Sequence, residues 1–285
     1  MKSYPRILLK ICEEGDAFML YGAIIGDIVG SRYEFNNYKS KDFDFFHPGD
    51  AFTDDTVMTF AICEACQNIK HKQYVLSSEI ESCFASSMRK WGHDYGGRGY
   101  GDRFFNWLVN PDRPAYNSWG NGSAMRVSAV GWLFDTLYEV QKMAALSASP
   151  THNHPEGIKG ARAVAGAVFL ARTLKNKDAI KRYVESFGYE LLSCDEVRPD
   201  YHFDVSCMGT VPVAVQSFLE SSGFEDAVRT AVSMGGDSDT IASITGGIAE
   251  AFFDVPEDLK CASREYLDKT MLRLLDEVNE PQLTM

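Results

Sequence analysis

The run Pro155-Glu156-Gly157-Ile158-Lys159-Gly160-Ala161-Arg162-Ala163-Val164-Ala165-Gly166-Ala167-Val168-Phe169-Leu170-Ala171-Arg172-Thr173-Leu174 decides the fold class of the chain. Its apolar residues recur every three or four positions, the period of a helix with one buried face. Pro155, just after Asn153, stands where a first helical turn tolerates a missing N–H. The same period extends outward in both directions. Helices are expected near 19–31, 54–70, 77–91, 102–109, 124–137 and 137–149 before this run, and near 177–187, 210–221, 224–232, 240–253 and 256–277 after it. Pro256 opens the last of these, and Gly188 and Gly223 are expected just past helix ends. Period-two strands are hard to find, so the chain reads as all-α.

Composition supports a globular protein with one core. The 285 residues include 45% hydrophobic and 24% charged side chains, enough for a sizeable interior under a charged surface. With 28 Lys and Arg against 40 Asp and Glu, the formal charge is −12, which argues against a general nucleic-acid binder. No tandem repeat, low-complexity tract or linker divides the chain, so a single domain over 19–277 is expected, with an extension at 1–18 and a tail at 278–285. The apolar run Ile7 to Ile11 is soon broken by Glu13, Glu14 and Asp16, unlike a secretory leader. Gly26, Asp27 and Arg32 interrupt the most apolar early segment, so no membrane span is expected, and a cytoplasmic location is.

Seven scattered Cys read as reduced thiols. Cys63 and Cys66 form a lone CxxC with no second pair, on what reads as an apolar helix face. Buried thiols explain them better than zinc or redox chemistry.

Two acidic clusters stand out: Thr53-Asp54-Asp55-Thr56 and Gly235-Gly236-Asp237-Ser238-Asp239-Thr240, each opening an apolar helix. Capping explains one acidic or hydroxyl residue at each start. It does not explain two carboxylates plus hydroxyls at both, one set preceded by a glycine pair that lets backbone approach closely. Crowded oxygen ligands suit a hard cation such as Mg²⁺, and the lack of His and Cys disfavours zinc.

Further segments carry signals of their own. Gly22, Gly26 and Gly30 are spaced by four in GAIIGDIVGSRYEF, as close helix packing requires, and the segment ends in Glu34 and Phe35. In Ser118-Trp119-Gly120-Asn121-Gly122-Ser123, glycines precede a helix start whose free N–H groups suit phosphate, although a plain turn and cap reads equally well. The Asn121-Gly122-Ser123 sequon carries no meaning in a cytoplasmic protein. Thr151-His152-Asn153-His154 places two imidazoles in a loop before the helix at 155–174.

Taken in order, GAIIGDIVGSRYEF, FTDDT, GYGDRFFNWL, YNSWGNGSAMRVSAVGW, THNHPEGIKGARAVAGAVFLAR, RPDYHFDVSCMGTVP and MGGDSDTIASITGGIAEAF resemble the ADP-ribosylglycohydrolase family, the dinitrogenase-reductase-activating and ADP-ribosyl-acceptor hydrolases. The resemblance covers about 21–254 and rests on the colinearity of these motifs. It implies an all-α orthogonal helix bundle with a metal cleft lined by loops, a centre of two divalent cations (Mg²⁺ or Mn²⁺), and release of ADP-ribose from an ADP-ribosylated protein side chain or related conjugate. By that resemblance Thr53, Asp54, Asp55, Asp237, Asp239 and Thr240 match the metal-ligand motifs. Glu34 falls where relatives carry a mobile acidic residue. Ser118, Trp119, Asn121, Gly122 and Ser123 match the pyrophosphate and adenosine side, and His152 the distal ribose. Catalysis is expected from Asp55 first, or Glu34, with Asp54 and Asp239 at the centre. A monomer is expected, with no membrane partner and nucleic acid only as a modified substrate. The acceptor would be read by loops such as 36–48 and 95–116.

Two other readings compete. His93-Asp94 is the core of HD-type metal phosphohydrolases, but Gly92 and Gly96-Gly97 point to a loop here, where that doublet needs a helix. A non-catalytic ADP-ribose reader or structural relative would keep the pocket without turnover; the intact acidic clusters speak against it.

Overall fold

The computed structural model describes residues 19–72 and 76–280; the expected extension at 1–18 and the end of the expected tail, 281–285, lie outside them. The described residues form fifteen α-helices, one 3₁₀ turn and a single isolated antiparallel bridge between Gly120 and Ser206. The expected all-α architecture is the one observed.

At the centre runs α13 (Ser238–Phe253), buried along nearly its whole length. It is rich in Gly, Ala, Ser and Thr, and the small side chains let neighbours approach on every side. Around it pack α1 (Tyr21–Ser31), α8 (Pro155–Leu174), α11 (Cys207–Glu220) and α12 (Phe224–Val232). A Cβ on Gly22, Gly26 or Gly30 would stand 2.2 Å from Gly246 O, 2.0 Å from Ala242 O or 2.5 Å from Asp239 Cα. The four-residue glycine spacing therefore does what it suggested: it brings two helix backbones into contact.

Outside this pair, α2 (Asp54–Lys72) packs on α3 (Ser77–Asp94), and α7 (Leu137–Ala148) on α8. The short helices are α4 (Asp102–Leu108), α5 (Gly122–Met125), α6 (Ser128–Leu133), α9 (Lys177–Glu185), α10 (Cys194–Val197), α14 (Glu257–Ser263) and, after the 3₁₀ turn, α15 (Lys269–Asn279). Cys63 and Cys66 are buried in α2, where burial pushes the Cys63 thiol up to about 12 and Cys66 well above its ordinary range. Inert core thiols are the outcome.

Several expectations need correction. The helix expected at 124–137 is two short ones, α5 and α6, parted at 126–127; α6 ends where Arg172 donates to Gly131 O and Phe134 O, and Thr136 then caps α7 by accepting from Glu139 N. The helix expected at 256–277 breaks at Leu267 and restarts at Asp268, whose carboxylate accepts the Thr270 and Met271 N–H groups. The Ser193/Glu196 capping box starts α10, which the periodicity misses. Gly188 follows α9 with φ +82° and Gly223 follows α11, both as expected, Gly223 in extended backbone that leads into α12. The N-cap of α8 is His154; Asn153 instead accepts from Asn117 N. His93 and Asp94 occupy the last turn of α3 rather than a loop, exposed and away from the cleft described next.

Candidate metal and substrate cleft

A cleft of about 500 Å³ opens where the starts of α2 and α13 meet the end of α1. Its construction begins at Asp27, a fully buried carboxylate in the middle of α1. Asp27 Oδ2 accepts the N–H groups of Thr53 (2.9 Å) and Thr56 (3.0 Å), and Oδ1 accepts the Thr53 hydroxyl proton (2.7 Å). One helix thus caps the next, and Asp54 and Asp55 enter the cleft on a fixed first turn. Across the cleft, Gly235 and Gly236 adopt φ +68° and +70°, which only glycine holds without strain. Asn37 Oδ1 accepts Gly236 N at 3.0 Å, and Lys39 donates to Met234 O, so the turn before α13 is braced from behind.

The two acidic clusters converge. Thr240 Oγ1 donates to Asp55 Oδ2 at 3.1 Å, joining segments 185 residues apart. Carboxylate oxygens of Glu34, Asp237 and Asp239 lie within 4.8 Å of one another, and Asp54, Asp55 and Thr240 line the same cleft. Burial raises the pKa of every carboxylate in the group, and the charges of its neighbours add to the rise at Glu34, Asp54, Asp55 and Asp239. Asp54 goes to about 8, with Asp27 and Asp237 as the charges beside it, and Glu34 to about 7, with Asp237 and Asp27. Asp55 and Asp239 stand well above the usual range, and Asp27 and Asp237 are raised. Asp55 Oδ1 is buried with no hydrogen-bond partner among the described residues. Crowded anionic oxygens with one of them orphaned are the donor set a hard divalent cation requires, so these residues fit such an ion.

The opposite end of the cleft has other chemistry. The loop at 118–122 lies beside the 204–207 segment: Asn121 N donates to Val205 O and Cys207 N to Trp119 O. Asn121 Nδ2 donates to Asp237 Oδ2 (2.7 Å) and Thr210 Oγ1 (3.0 Å), tying this loop to the carboxylates and leaving its amide no part in glycosylation. Ser118, Trp119, Gly122 and His152 line the wall, with the Trp119 ring partly exposed at the rim. Arg103 and Arg126 line it too, so the cleft runs from anionic to cationic although the chain as a whole is acidic.

Of the residues expected at the site, Glu34, Asp54, Asp55, Asp237, Asp239, Thr240, Ser118, Trp119, Asn121, Gly122 and His152 meet in this cleft. Thr53 and Ser123 do not line it: the Thr53 hydroxyl is held by Asp27, and the buried Ser123 hydroxyl donates to Gly157 O at 2.7 Å. The helix start expected to receive phosphate is the single turn α5, too short for an appreciable dipole. The 36–48 loop does not line the cleft and braces the 235–236 turn instead.

Sequence reading missed Asp27, whose signal was a lone carboxylate inside an apolar helix, and Arg126, an arginine inside an apolar run. It also missed Arg103 and the exposed Phe35, which stacks on Phe203 with ring centroids 5.8 Å apart. Nothing local in the sequence announces that pair.

Comparisons with known proteins place the chain as a whole. Residues 17–283 match the family model described as ADP-ribosylglycohydrolase. Among curated relatives, ADP-ribosylhydrolase ARH3 of Mus musculus is 29% identical over 84% of this chain and 84% of its own length, and that of Homo sapiens is 28% identical over 89% and 90%. ADP-ribosylarginine hydrolase Tri1 of Pseudomonas putida is 23% identical over 90% of this chain and 76% of that protein. A solved structure titled "ADP-ribosylglycohydrolase-related protein complex" shares the fold, with a TM-score of 0.63, 20% identity and coverage of 89% of this chain and 93% of that one. On a match spanning nearly its whole length, the chain belongs to the ADP-ribosylglycohydrolase family.

Proposed function

We propose that the protein is a divalent-metal-dependent hydrolase that cleaves the glycosidic bond between ADP-ribose and its acceptor, releasing ADP-ribose. The observation that carries this reading is the convergence of the two acidic helix starts, fastened by the 3.1 Å bond from Thr240 to Asp55. The names of the relatives, ADP-ribosylhydrolase and ADP-ribosylarginine hydrolase, support the substrate class.

On this reading Asp54, Asp55, Asp237, Asp239 and Thr240 would hold two Mg²⁺ or Mn²⁺ ions, with Glu34 beside them and Thr53, its hydroxyl bound to Asp27, fixing the start of α2 from behind. When bound, the ions supply Lewis acidity toward the vicinal ribose hydroxyls and toward water. The protein does the rest. Ser118, Asn121, Gly122 and His152 orient the nucleotide, with Arg103 and Arg126 at the phosphate end and the Trp119 ring against the adenosine. Ser123 acts from beneath, fixing the loop through Gly157. Hydrolysis joins the water oxygen to the anomeric carbon as the bond to the acceptor breaks, and the acceptor atom takes a proton. On this reading Asp55, or else Glu34, both lining the cleft, moves the proton between water and the acceptor atom.

The test uses defined Arg-linked and Ser-linked ADP-ribosyl peptides with Mg²⁺ and then with excess EDTA. Free ADP-ribose is expected with metal, and none after chelation or in Asp54→Ala or Asp239→Ala. Tight ADP-ribose binding without release on either linkage identifies a reader instead of an enzyme.

A further inference from the structure

We infer that Arg126 and Thr151 fix the tautomer of His152, so that its Nδ1 accepts a hydrogen bond and its Nε2 carries the ring proton and donates it into the cleft. The argument is a proton count along one buried chain. Arg126 is almost wholly buried, and its Nη2 donates to Thr151 Oγ1 at 2.9 Å and to Ser147 O at 3.3 Å. A guanidinium only donates, so Thr151 Oγ1 accepts from it and keeps its single hydroxyl proton for another partner. The remaining contact of Thr151 Oγ1 is His152 Nδ1, at 2.8 Å. Thr151 therefore donates to Nδ1, and a neutral imidazole that accepts at Nδ1 bears its proton on Nε2.

Two further observations agree. Burial and the nearby guanidiniums of Arg126 and Arg103 hold His152 well below its ordinary pKa, so the ring carries one proton. The space before Nε2 is kept open by glycines: a Cβ on Gly122 would lie 3.1 Å from it, and one on Gly120 3.5 Å. The group that meets Nε2 must then be a hydrogen-bond acceptor. His152 binds as a neutral donor, Thr151, outside the cleft lining, is a positioning residue, and Arg126, which lines the cleft, also orients Thr151.

The ligand side of this inference rests on the proposed ADP-ribose cleft; the tautomer does not. Nitrogen-15 NMR of the full-length protein, with the His152 ring signals assigned by their loss in His152→Gln, reads the tautomer without ligand. A protonated Nε2 with an unprotonated Nδ1 is expected, and a protonated Nδ1 overturns the inference. Calorimetry with ADP-ribose and Mg²⁺ then compares Thr151→Val, which removes the hydroxyl, with Thr151→Ser, which restores it. About tenfold weaker binding is expected in Thr151→Val, the equivalent of one hydrogen bond, with near wild-type affinity in Thr151→Ser. Unchanged affinity in Thr151→Val overturns the inference. If the wild type fails to bind ADP-ribose, the functional reading falls, and the ring signals alone decide the tautomer.

Discussion

The carboxylate of Asp27, midway along α1, accepts the Thr56 amide proton at 3.0 Å and so caps α2 from a different helix. Replacing it by Ala strands the Thr53 and Thr56 N–H groups, each costing roughly 1–3 kcal/mol when buried without a partner. Asp27→Ala is expected to unfold several degrees lower in a thermal melt recorded by circular dichroism without added metal, with Asp27→Asn in between. An unchanged melting temperature means that water or backbone takes over the cap.

The contact between α1 and α13 predicts a sharp positional contrast. A methyl on Gly26 would lie 2.0 Å from the Ala242 carbonyl oxygen, whereas one on Gly101, beside the cleft, meets nothing within 4 Å. Gly26→Ala should lose at least about 1–3 kcal/mol by overpacking. Gly101→Ala should stay within about 0.5 kcal/mol of wild type. Urea titration of the two variants decides it, and equal stabilities would contradict the backbone contact.

Glu250 predicts a pH effect on stability. It is buried in α13 opposite the first N–H groups of α1, and burial, opposed by Gly22 N–H, Lys260 and the neighbouring amides, raises its pKa from 4.5 to about 8. The folded state thus holds a proton that the unfolded chain releases near its ordinary pKa. This group's contribution is complete below about pH 4.5 and is lost as the pH rises toward 8. Glu250→Gln, which cannot ionise, should gain stability relative to wild type between pH 5 and pH 8, by several kcal/mol as an order of magnitude. Denaturant midpoints of both proteins across that range measure the difference; a constant difference refutes the assignment.

The cationic end of the cleft predicts how ADP-ribose binding divides. Arg103→Ala removes a charge from the proposed phosphate end and should weaken ADP-ribose about tenfold, with a shallower salt dependence. Trp119→Ala removes a stacking face, worth roughly 1–3 kcal/mol on a base, and should weaken ADP-ribose while leaving ribose 5-phosphate binding unaltered. Calorimetry at two salt concentrations separates them, and the scheme fails if both variants respond alike to salt.

Much of this architecture was legible in the chain, for reasons that differ by element. Helix periodicity and the glycine spacing of α1 are local and survive in one dimension, as do redundant acids at two helix starts. The Gly235-Gly236 turn was readable because only glycine relieves its backbone. Asp27 was visible as an oddity, but its partners lie on another helix and no local rule names them. Arg103 and Arg126 hid because a net charge averages over the molecule while a cleft selects from it. The breaks near Phe134 and Leu267 escaped because the capping that made them, from Arg172 and Asp268, outweighs an unbroken apolar pattern.

The floor and the rim of the cleft have separate origins. Asp54, Asp55 and Asp239 stand on helix starts held by Asp27 and by the packing of α1 on α13, whereas Phe35, Trp119 and Phe203 stand on connecting segments. On the proposed function, changes confined to the rim would alter which acceptor is taken while leaving the carboxylate floor as it is. A single methyl between the two central helices disturbs at once Asp27, which holds one acidic segment, and the helix that carries the other.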